Sequence, residues 1–579
     1  MPVATIRCAT AAALAVAACD ALDNGFTKPA LGWSSWYAAP MGSQVTDAFV
    51  RASAKALISS GLAKKGYKYV NVDEGWLKGR HAGNNTIYED LDKFPSGMKS
   101  LGDWVTAQPT SAGSNEKLVY GLYSCRGTCQ CGTRAYHGPG SNGHEAADTQ
   151  WMIDAGARWL KIDSCCGSQN HSVAFSDYSK FRDAMNASGQ KVWFNLCGWN
   201  EWYAPPDPAL HYAGGQSIGN SYRISGDGGS WGAITKALNV MASVTKFTHP
   251  GGYPDPDNIL GPHGTVGRVS ESQARVQMVL WSMAPTQLIL GEDVTKMSAE
   301  FIETVGNEEL IAVNQDFPLV AAAKRIVGGD LHFPCGVPAP IPGATATVTA
   351  EVCIAAGADA RLTQTFYFNT TDGSLRLGSQ PSNMVATESC DFSKDGNIVS
   401  LFAEGAGGTK CGGSKWGHNS TTSQIIGAAS KCLDEFEFTT PRVDLWGCDG
   451  GSNEKWAFSV DAATVGGFAT GTLKNARSGK CLTASVAGPT SNAVCENIWS
   501  RPLANGDLAL AMVNQGAGNA TMICDSTCFA AAGLGKASKI RVRDMIAHAD
   551  LPELSPPFSF ETLVPGEGSA AAFRLTPMK

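Results

Sequence analysis

Positive charge is scarce in this chain. Its 579 residues carry 45 Lys and Arg against 52 Asp and Glu, a formal net charge of −7, and its isoelectric point lies near 5.8. That balance argues against a nucleic-acid binder, which would carry a basic face to meet phosphates. Long apolar runs are missing too. Past the N-terminus none approaches the roughly 20 residues needed to cross a bilayer, so no membrane partner is expected. The glycine-rich phosphate turn of a doubly wound sheet is absent, and Gly32-Trp33-Ser34 stands after the start of the first strand candidate instead. Cys125, Cys129 and Cys131 cluster without a second correctly spaced pair, which disfavours zinc. No metal and no other cofactor is called for.

Aromatics and cysteine are plentiful. The chain is 43% hydrophobic with 15 Trp, 22 Phe and 13 Tyr, enough for several cores and, by length, two to four domains. Residues 1–21 combine a lone Arg7 with an Ala-rich stretch, Ala11–Ala18, and read as a signal peptide cut after Ala21. Of 18 cysteines, Cys8 and Cys19 fall inside that segment and leave an even number for pairing. Asn-X-Ser/Thr sequons start at Asn84, Asn170, Asn186, Asn369, Asn419 and Asn519. Together these features predict an oxidising secretory route, ending outside the cell or in a lysosome or vacuole.

From about residue 30 to 315, strand-like and helix-like segments alternate. Strand candidates are Leu31–Trp36, Tyr67–Asp73, Lys117–Ser124, Arg158–Asp163, Val192–Cys197, Ser221–Ser225, Phe247–Gly251 and Thr286–Gly291. Helical periods lie between them. In Ser230–Val244, Ile234, Ala237, Leu238 and Met241 recur at i, i+3, i+4 and i+7, with Ser230 placed as N-cap. Met98, Leu101 and Val105 do the same in Pro95–Gln108. Eight β-then-α units predict an α/β fold, a (β/α)8 TIM barrel over 22–318. After Pro318, Gly, Ser and Thr rise and helical periodicity disappears, so the rest is expected to be an all-β C-terminal region.

Carboxylates gather where barrel strands end: Asp73-Glu74, Asp163, Asp227, and Glu292-Asp293, with Asp255 and Asp257 after strand seven. Active sites of such barrels are built at those ends. Each acid alone could be a turn former. Together they make an acidic cup suited either to a divalent metal or to glycoside hydrolysis. Trp33, Trp36, Tyr37, Trp76, Tyr123, Trp199, Trp202 and Tyr203 fall near the same ends. Flat rings stack on the C–H face of a pyranose, which favours sugar, although about half of them are expected in the core. Lys161 and Asp163 lie two apart, so in a strand both side chains leave on one face. An aspartate beside a lysine there is placed to be ionised and to attack.

The motifs Leu-Gly-Trp-Ser-Ser-Trp (31–36), Val-Asp-Glu-Gly-Trp (72–76), Gly-Leu-Tyr-Ser (121–124), Leu-Lys-Ile-Asp-Ser-Cys (160–165), Tyr-Arg-Ile-Ser-Gly-Asp (222–227), Pro-Gly-Gly-Tyr-Pro-Asp-Pro-Asp (250–257) and Ala-Val-Asn-Gln-Asp (312–316) occur in order. They resemble glycoside hydrolase family 27, the α-galactosidase and α-N-acetylgalactosaminidase family. The stretch from Trp499-Ser500-Arg501-Pro502-Leu503 resembles that family's C-terminal β-domain. The resemblance implies a retaining exo-glycosidase with Asp163 as nucleophile and Asp227 as acid/base. It implies that Trp33, Asp73, Glu74, Tyr123, Lys161, Arg223 and Asp257 hold the terminal galactosyl residue, and that Cys165 pairs with Cys129 or Cys131. It also allows a homodimer. Between the β-domain segments, Lys431-Cys432-Leu433-Asp434, Leu445-Trp446-Gly447-Cys448 and Asn453-Glu454-Lys455-Trp456 resemble a repeat of a ricin-type β-trefoil carbohydrate-binding module, partly echoed at Gly479-Lys480-Cys481-Leu482. That second resemblance implies a second glycan site at Asp434 and Trp446 and a Cys432–Cys448 bridge. The resulting division is 1–21 signal, 22–318 barrel, 319–360 start of the C-terminal antiparallel domain, 361–497 trefoil-like insertion, and 498–579 the remainder.

Two departures bear on the sugar. Family members usually carry two aspartates where Asp73-Glu74 stands here. The extra methylene of Glu74 would push its carboxylate toward the C6 hydroxymethyl and could favour a β-L-arabinopyranoside, which lacks that group, or a shifted backbone could equally absorb the change; a methylene in a pocket is worth about 1–3 kcal/mol, so α-galactoside is kept as the expected substrate. Gly198 stands where the family often has a larger polar residue that senses the C2 substituent, which keeps α-N-acetylgalactosaminidase open. A non-catalytic carbohydrate-binding protein is the competing class, disfavoured because both carboxylates are present.

Overall fold

The computed structural model describes residues 22, 24–39, 44–132, 138–329, 346–351, 353–354, 363–378, 384–388, 397–403, 415–427, 430–435, 443–465, 467–486, 495–516 and 518–578. The signal-peptide segment lies outside the described residues.

Eight parallel strands form one sheet: β1 (Leu31–Ser34), β2 (Tyr67–Val72), β3 (Val119–Cys125), β4 (Trp159–Asp163), β5 (Trp193–Leu196), β6 (Ser221–Arg223), β7 (Tyr253–Asp255) and β8 (Leu288–Leu290), ordered β8-β1-β2-β3-β4-β5-β6-β7. Ile259, just past β7, bridges Leu290 of β8 in parallel and links the two ends of the sheet. The strands are nearly all buried, as expected of a parallel sheet covered by helices. The helices run between strands: α1 (Asp47–Ser59), α2 (Met98–Ala107), α3 (Glu145–Asp154), α4 (His171–Ser188), α5 (Trp231–Val244), α6 (Glu271–Met283), α7 (Ala299–Val305) and α8 (Glu308–Asn314). Ser230 caps α5, its hydroxyl accepting the Ala233 N–H, while Ser270 and Gln273 form a reciprocal capping box on α6.

One strand expectation is corrected. Phe247–Gly251 is not the seventh strand, which starts at Tyr253. Thr245–Phe247 is a 3-10 turn, and His249 and Gly252 exchange backbone hydrogen bonds across Pro250-Gly251. Pro250 lacks an N–H for the ladder, and Gly251 adopts φ 87°, which suits a turn.

Alternation along the strands fills the barrel in layers. Near its N-terminal end, Trp159 stacks on Trp193 at 5.7 Å and Trp193 on Tyr253 at 6.3 Å, with Phe26 packed edge-on beneath. These rings close the barrel floor. Above them lies a polar layer of Asn71, Asn195, Ser221, Asp255 and Gln287. Asn195 and Gln287 each donate to Asp255 Oδ2 at 2.8 Å, and Ser221 donates to Gln287 Oε1 at 2.8 Å. Gly121 makes room for this layer, since a Cβ there would lie 2.1 Å from Asn71 Oδ1. The next layer up is the site.

The C-terminal domain is a six-stranded antiparallel sheet, ordered Lys324–Gly328, Glu496–Pro502, Leu508–Asn514, Ser569–Met578, Lys539–Asp544 and Ala549–Leu554. It docks on the barrel through a shared hydrophobic core, with Trp499, Leu503, Ala511, Val513 and Met545 packed among barrel residues, and buried polar pins fix the fit. Arg501 donates to the carbonyls of Ser282 at 2.9 Å and Val313 at 2.6 Å, and Trp231 Nε1 donates to Gln515 at 3.0 Å. Between its first and second strands sits a separate β module. Its core gathers Phe366, Leu375, Leu401, Leu433, Leu445, Trp456, Leu473 and Leu482. Ala346–Glu351, assigned from sequence to the start of the C-terminal domain, instead pairs antiparallel with Cys481–Val486 inside this module, and Cys353–Cys481 ties the same two segments.

Candidate active site

The site is built from two charged walls, each a cation shared between carboxylates. On the first, Lys161 Nζ lies 3.0 Å from Asp73 Oδ2 and 3.9 Å from Asp163 Oδ2. Strand register puts the three together: Lys161 of β4 faces inward, Asp163 ends the same strand two residues on, and Asp73 directly follows β2. Asp73 is fixed further by the Ser34 hydroxyl at 3.2 Å. On the second wall, Arg223 of β6 reaches Asp227 at 3.0 Å through Nη1 and Asp257 at 2.6 Å through Nη2, with Asp255 Oδ2 3.6 Å from Nε. Asp257 also accepts from the Tyr37 hydroxyl at 2.6 Å and the Gly228 N–H at 2.7 Å. Its carboxylate is therefore committed to holding Arg223, and its backbone is held at φ 92°, unusual for a non-glycine residue.

The two candidate catalytic acids occupy different environments. The Asp163 side chain is 8% exposed and that of Asp227 is 46% exposed. Burial raises the Asp163 carboxyl to about 6, against the nearby Lys161 charge, which lowers it; the Asp227 and Asp73 charges add to the rise. Lys161 acts in the direction expected from sequence, but burial outweighs it. Burial also works against the Lys161 charge, yet Asp73, followed by Cys197 and Asp163, holds its pKa well above the ordinary lysine range.

Glu74 accepts from the Gly132 N–H and from the Tyr123 hydroxyl, the latter at 3.2 Å. Burial and the Asp73 charge push its pKa up to about 7, with the Gly132 hydrogen bond opposing. The extra methylene is thus taken up by reaching the 129–132 loop. Cys131–Cys165 and Cys129–Cys166 tie that loop to the residues after Asp163, which settles the two alternatives for Cys165.

Trp33 is not brought to the site. Ser34 points inward to Asp73, so Trp33 points outward; it is fully buried, donates to the Glu292 carbonyl at 2.9 Å and packs on Phe49 of α1. Trp36 takes its place, its ring 5.6 Å from Lys161 Nζ, with Tyr123 at 5.3 Å on the same ammonium. Tyr37 and Asp255 also belong to the second wall and were not among the expected binding residues.

The lectin-site candidates lie elsewhere. Asp434 is 1% exposed and accepts from Asn453 Nδ2 at 2.7 Å, and burial holds its pKa well above the usual carboxylate range. Trp446 lies in the adjacent strand, paired with Cys432 in register. The Cys432–Cys448 bridge is present. Among the described residues no cluster of His, Cys, Asp and Glu is arranged to hold a metal ion.

Residues 38–316 match the family described as Alpha galactosidase A, and residues 496–573 match the Alpha galactosidase C-terminal beta sandwich domain. The chain is 33% identical over 298 residues to an alpha-galactosidase of Oryza sativa subsp. japonica, covering 51% of this chain and 66% of that one. It is 34% identical over 309 residues to a probable alpha-galactosidase of Dictyostelium discoideum, covering 53% of this chain and 73% of the relative. The matches thus span about two thirds of those relatives' lengths. The fold is similar to alpha-galactosidase I from Mortierella vinacea, at TM-score 0.58 and 20% identity over 96% of this chain and 99% of that one. It is also similar to a β-L-arabinopyranosidase from Geobacillus stearothermophilus, at TM-score 0.54 and 14% identity over 96% and 98%. The chain belongs to the alpha-galactosidase family, glycoside hydrolase family 27.

Proposed function

We propose that this chain is a retaining exo-glycosidase that removes terminal α-D-galactosyl residues by double displacement. The observation that carries the reading is the pair of unlike carboxyls at the barrel mouth: Asp163 buried beside Lys161, and Asp227 open to solvent on Arg223. Asp163 attacks the anomeric carbon and forms a glycosyl ester, while Asp227 gives its proton to the departing glycosidic oxygen. Asp227, now a carboxylate, takes a proton from water. That water attacks the same carbon, and Asp163 leaves as a carboxylate. Lys161 offsets the charge on Asp163 before and after the ester forms.

Asp73 and Lys161 are assigned to sugar hydroxyls, and Trp36 and Tyr123 to the apolar face of the ring. Disulfides at Cys129, Cys131, Cys165 and Cys166 support maturation in an oxidising compartment. The test is parallel steady-state assay of nitrophenyl α-galactoside, β-L-arabinopyranoside and α-N-acetylgalactosaminide. The α-galactoside should give the highest kcat/KM. A tenfold preference for either of the others overturns the choice of sugar.

A further inference from the structure

The inserted module grips the two barrel loops that follow β4 and β5. Its Asp449 carboxylate accepts the backbone N–H of His171 at 2.5 Å, and its Ser452 N–H donates to Asp207 at 3.2 Å. Arg477 donates to the Trp202 carbonyl at 3.3 Å. His171 is the first residue of α4, the helix that follows the disulfide-tied loop after Asp163. A carboxylate there meets the positive end of the helix dipole as well as an N–H that has no partner within the helix. Trp202 and Asp207 lie in the loop after β5, which begins at Cys197.

The two loops are joined by stacked rings. His171 lies 3.9 Å from Trp202 at an interplanar angle of 19°, and Trp202 lies 3.9 Å from Tyr203 at 28°. The Tyr203 ring covers Gly198 so closely that a Cβ there would fall 1.9 Å from it. Beneath the loop after β4, Arg126 donates to the Ser164 hydroxyl at 2.8 Å, and the Ser164 N–H donates to Asp163 at 2.9 Å. A contact chain therefore runs from the module through His171, Trp202 and Tyr203 to Gly198, whose neighbour Cys197 donates its N–H to the Ile162 carbonyl, one residue before Asp163, at 2.8 Å.

We propose that the module sets substrate affinity from outside the barrel, with Asp449 as the positioning residue that holds the loops after β4 and β5 in register. This rests on the glycosidase reading above. Asp449 touches no substrate. It fixes how far the Gly198–Tyr203 segment stands from Asp163, and so how well the ground-state sugar fits, while Asp163 stays on β4 and Asp227 stays on Arg223.

The test uses the full chain with Asp449→Ala and, independently, Arg477→Met. Each is assayed on the best nitrophenyl glycoside and by hydrogen exchange of residues 198–212. KM should rise three- to tenfold with kcat within about twofold, and exchange in 198–212 should quicken while β4 amides stay protected. Unchanged KM in both variants, with or without faster exchange, overturns the proposal. So does a fall in kcat at constant KM. Wild-type turnover tests the glycosidase reading itself, whereas the variant-to-wild-type ratio tests the brace, so the two failures are distinguishable.

Discussion

Asp163 is stabilised in its protonated form by burial, and that has two consequences. Its pKa of about 6 in the free protein predicts that kcat/KM falls as pH drops through about 6. Lys161→Met should move that limb upward by half a pH unit or more, whatever it does to the maximum; an unmoved limb contradicts the assignment. The second consequence is for stability. A carboxyl raised from 3.8 to about 6 on folding stabilises the protein only while protonated. That contribution is full below the unfolded value and is lost as pH rises to the folded value. Asp163→Asn should therefore stabilise the protein by about 3 kcal/mol above pH 6, at roughly 1.4 kcal/mol for each pH unit separating the folded and unfolded values, and by little near pH 4. Denaturant unfolding at both pH values measures it. Glu74→Asp withdraws the carboxylate from the Gly132 N–H that it holds and should raise KM for the α-galactoside about threefold or more, read from steady-state kinetics. The residues legible from sequence were those on inward positions of strands, such as Lys161, Asp163 and Arg223. Trp33 misled because β1 is buried on both faces, so hydrophobicity does not show which way each residue points. The inward Ser34 decides it.

At the scale of elements, the loops around Asp163 depend on covalent ties as much as on packing. Cys131–Cys165 holds Gly132 where its N–H meets Glu74. Cys131→Ser should raise KM severalfold and lower unfolding stability by about 2–4 kcal/mol, read from steady-state kinetics and a denaturant melt of the same preparation. The strand–helix alternation could be read from sequence because local period carries it. The seventh strand slipped because Pro250-Gly251-Gly252 sits within a family motif yet forms a turn, and the three-residue segments on either side, Thr245–Phe247 and Tyr253–Asp255, are too short to show a period. The pairing of Ala346–Glu351 with Cys481–Val486 could not be read at all. The half-cystines that tie these segments are 128 residues apart in sequence, and no local pattern names a partner at that range.

For the whole molecule, barrel and C-terminal sheet share one hydrophobic core, to which Trp499, Leu503, Val513 and Met545 contribute, and buried polar contacts pin them in place. Arg501 is fully buried and serves carbonyls near the ends of α6 and α8. Burial lowers its pKa to about 10, which leaves it charged at neutral pH. Removing it by Arg501→Met would leave those carbonyls unpaired and should cost about 3 kcal/mol, seen as a lower Tm with the kinetic constants of the surviving folded enzyme unchanged. In the proposed mechanism all these parts position one reacting pair, and its division of labour can be observed directly. The measurement is intact-mass and peptide mapping of Asp227→Ala mixed with dinitrophenyl α-galactoside, a donor whose leaving group needs no proton. The variant should accumulate one galactosyl group, carried on the peptide that contains Asp163. Label on any other residue, or undiminished turnover of ordinary nitrophenyl galactoside by Asp163→Asn, contradicts the account.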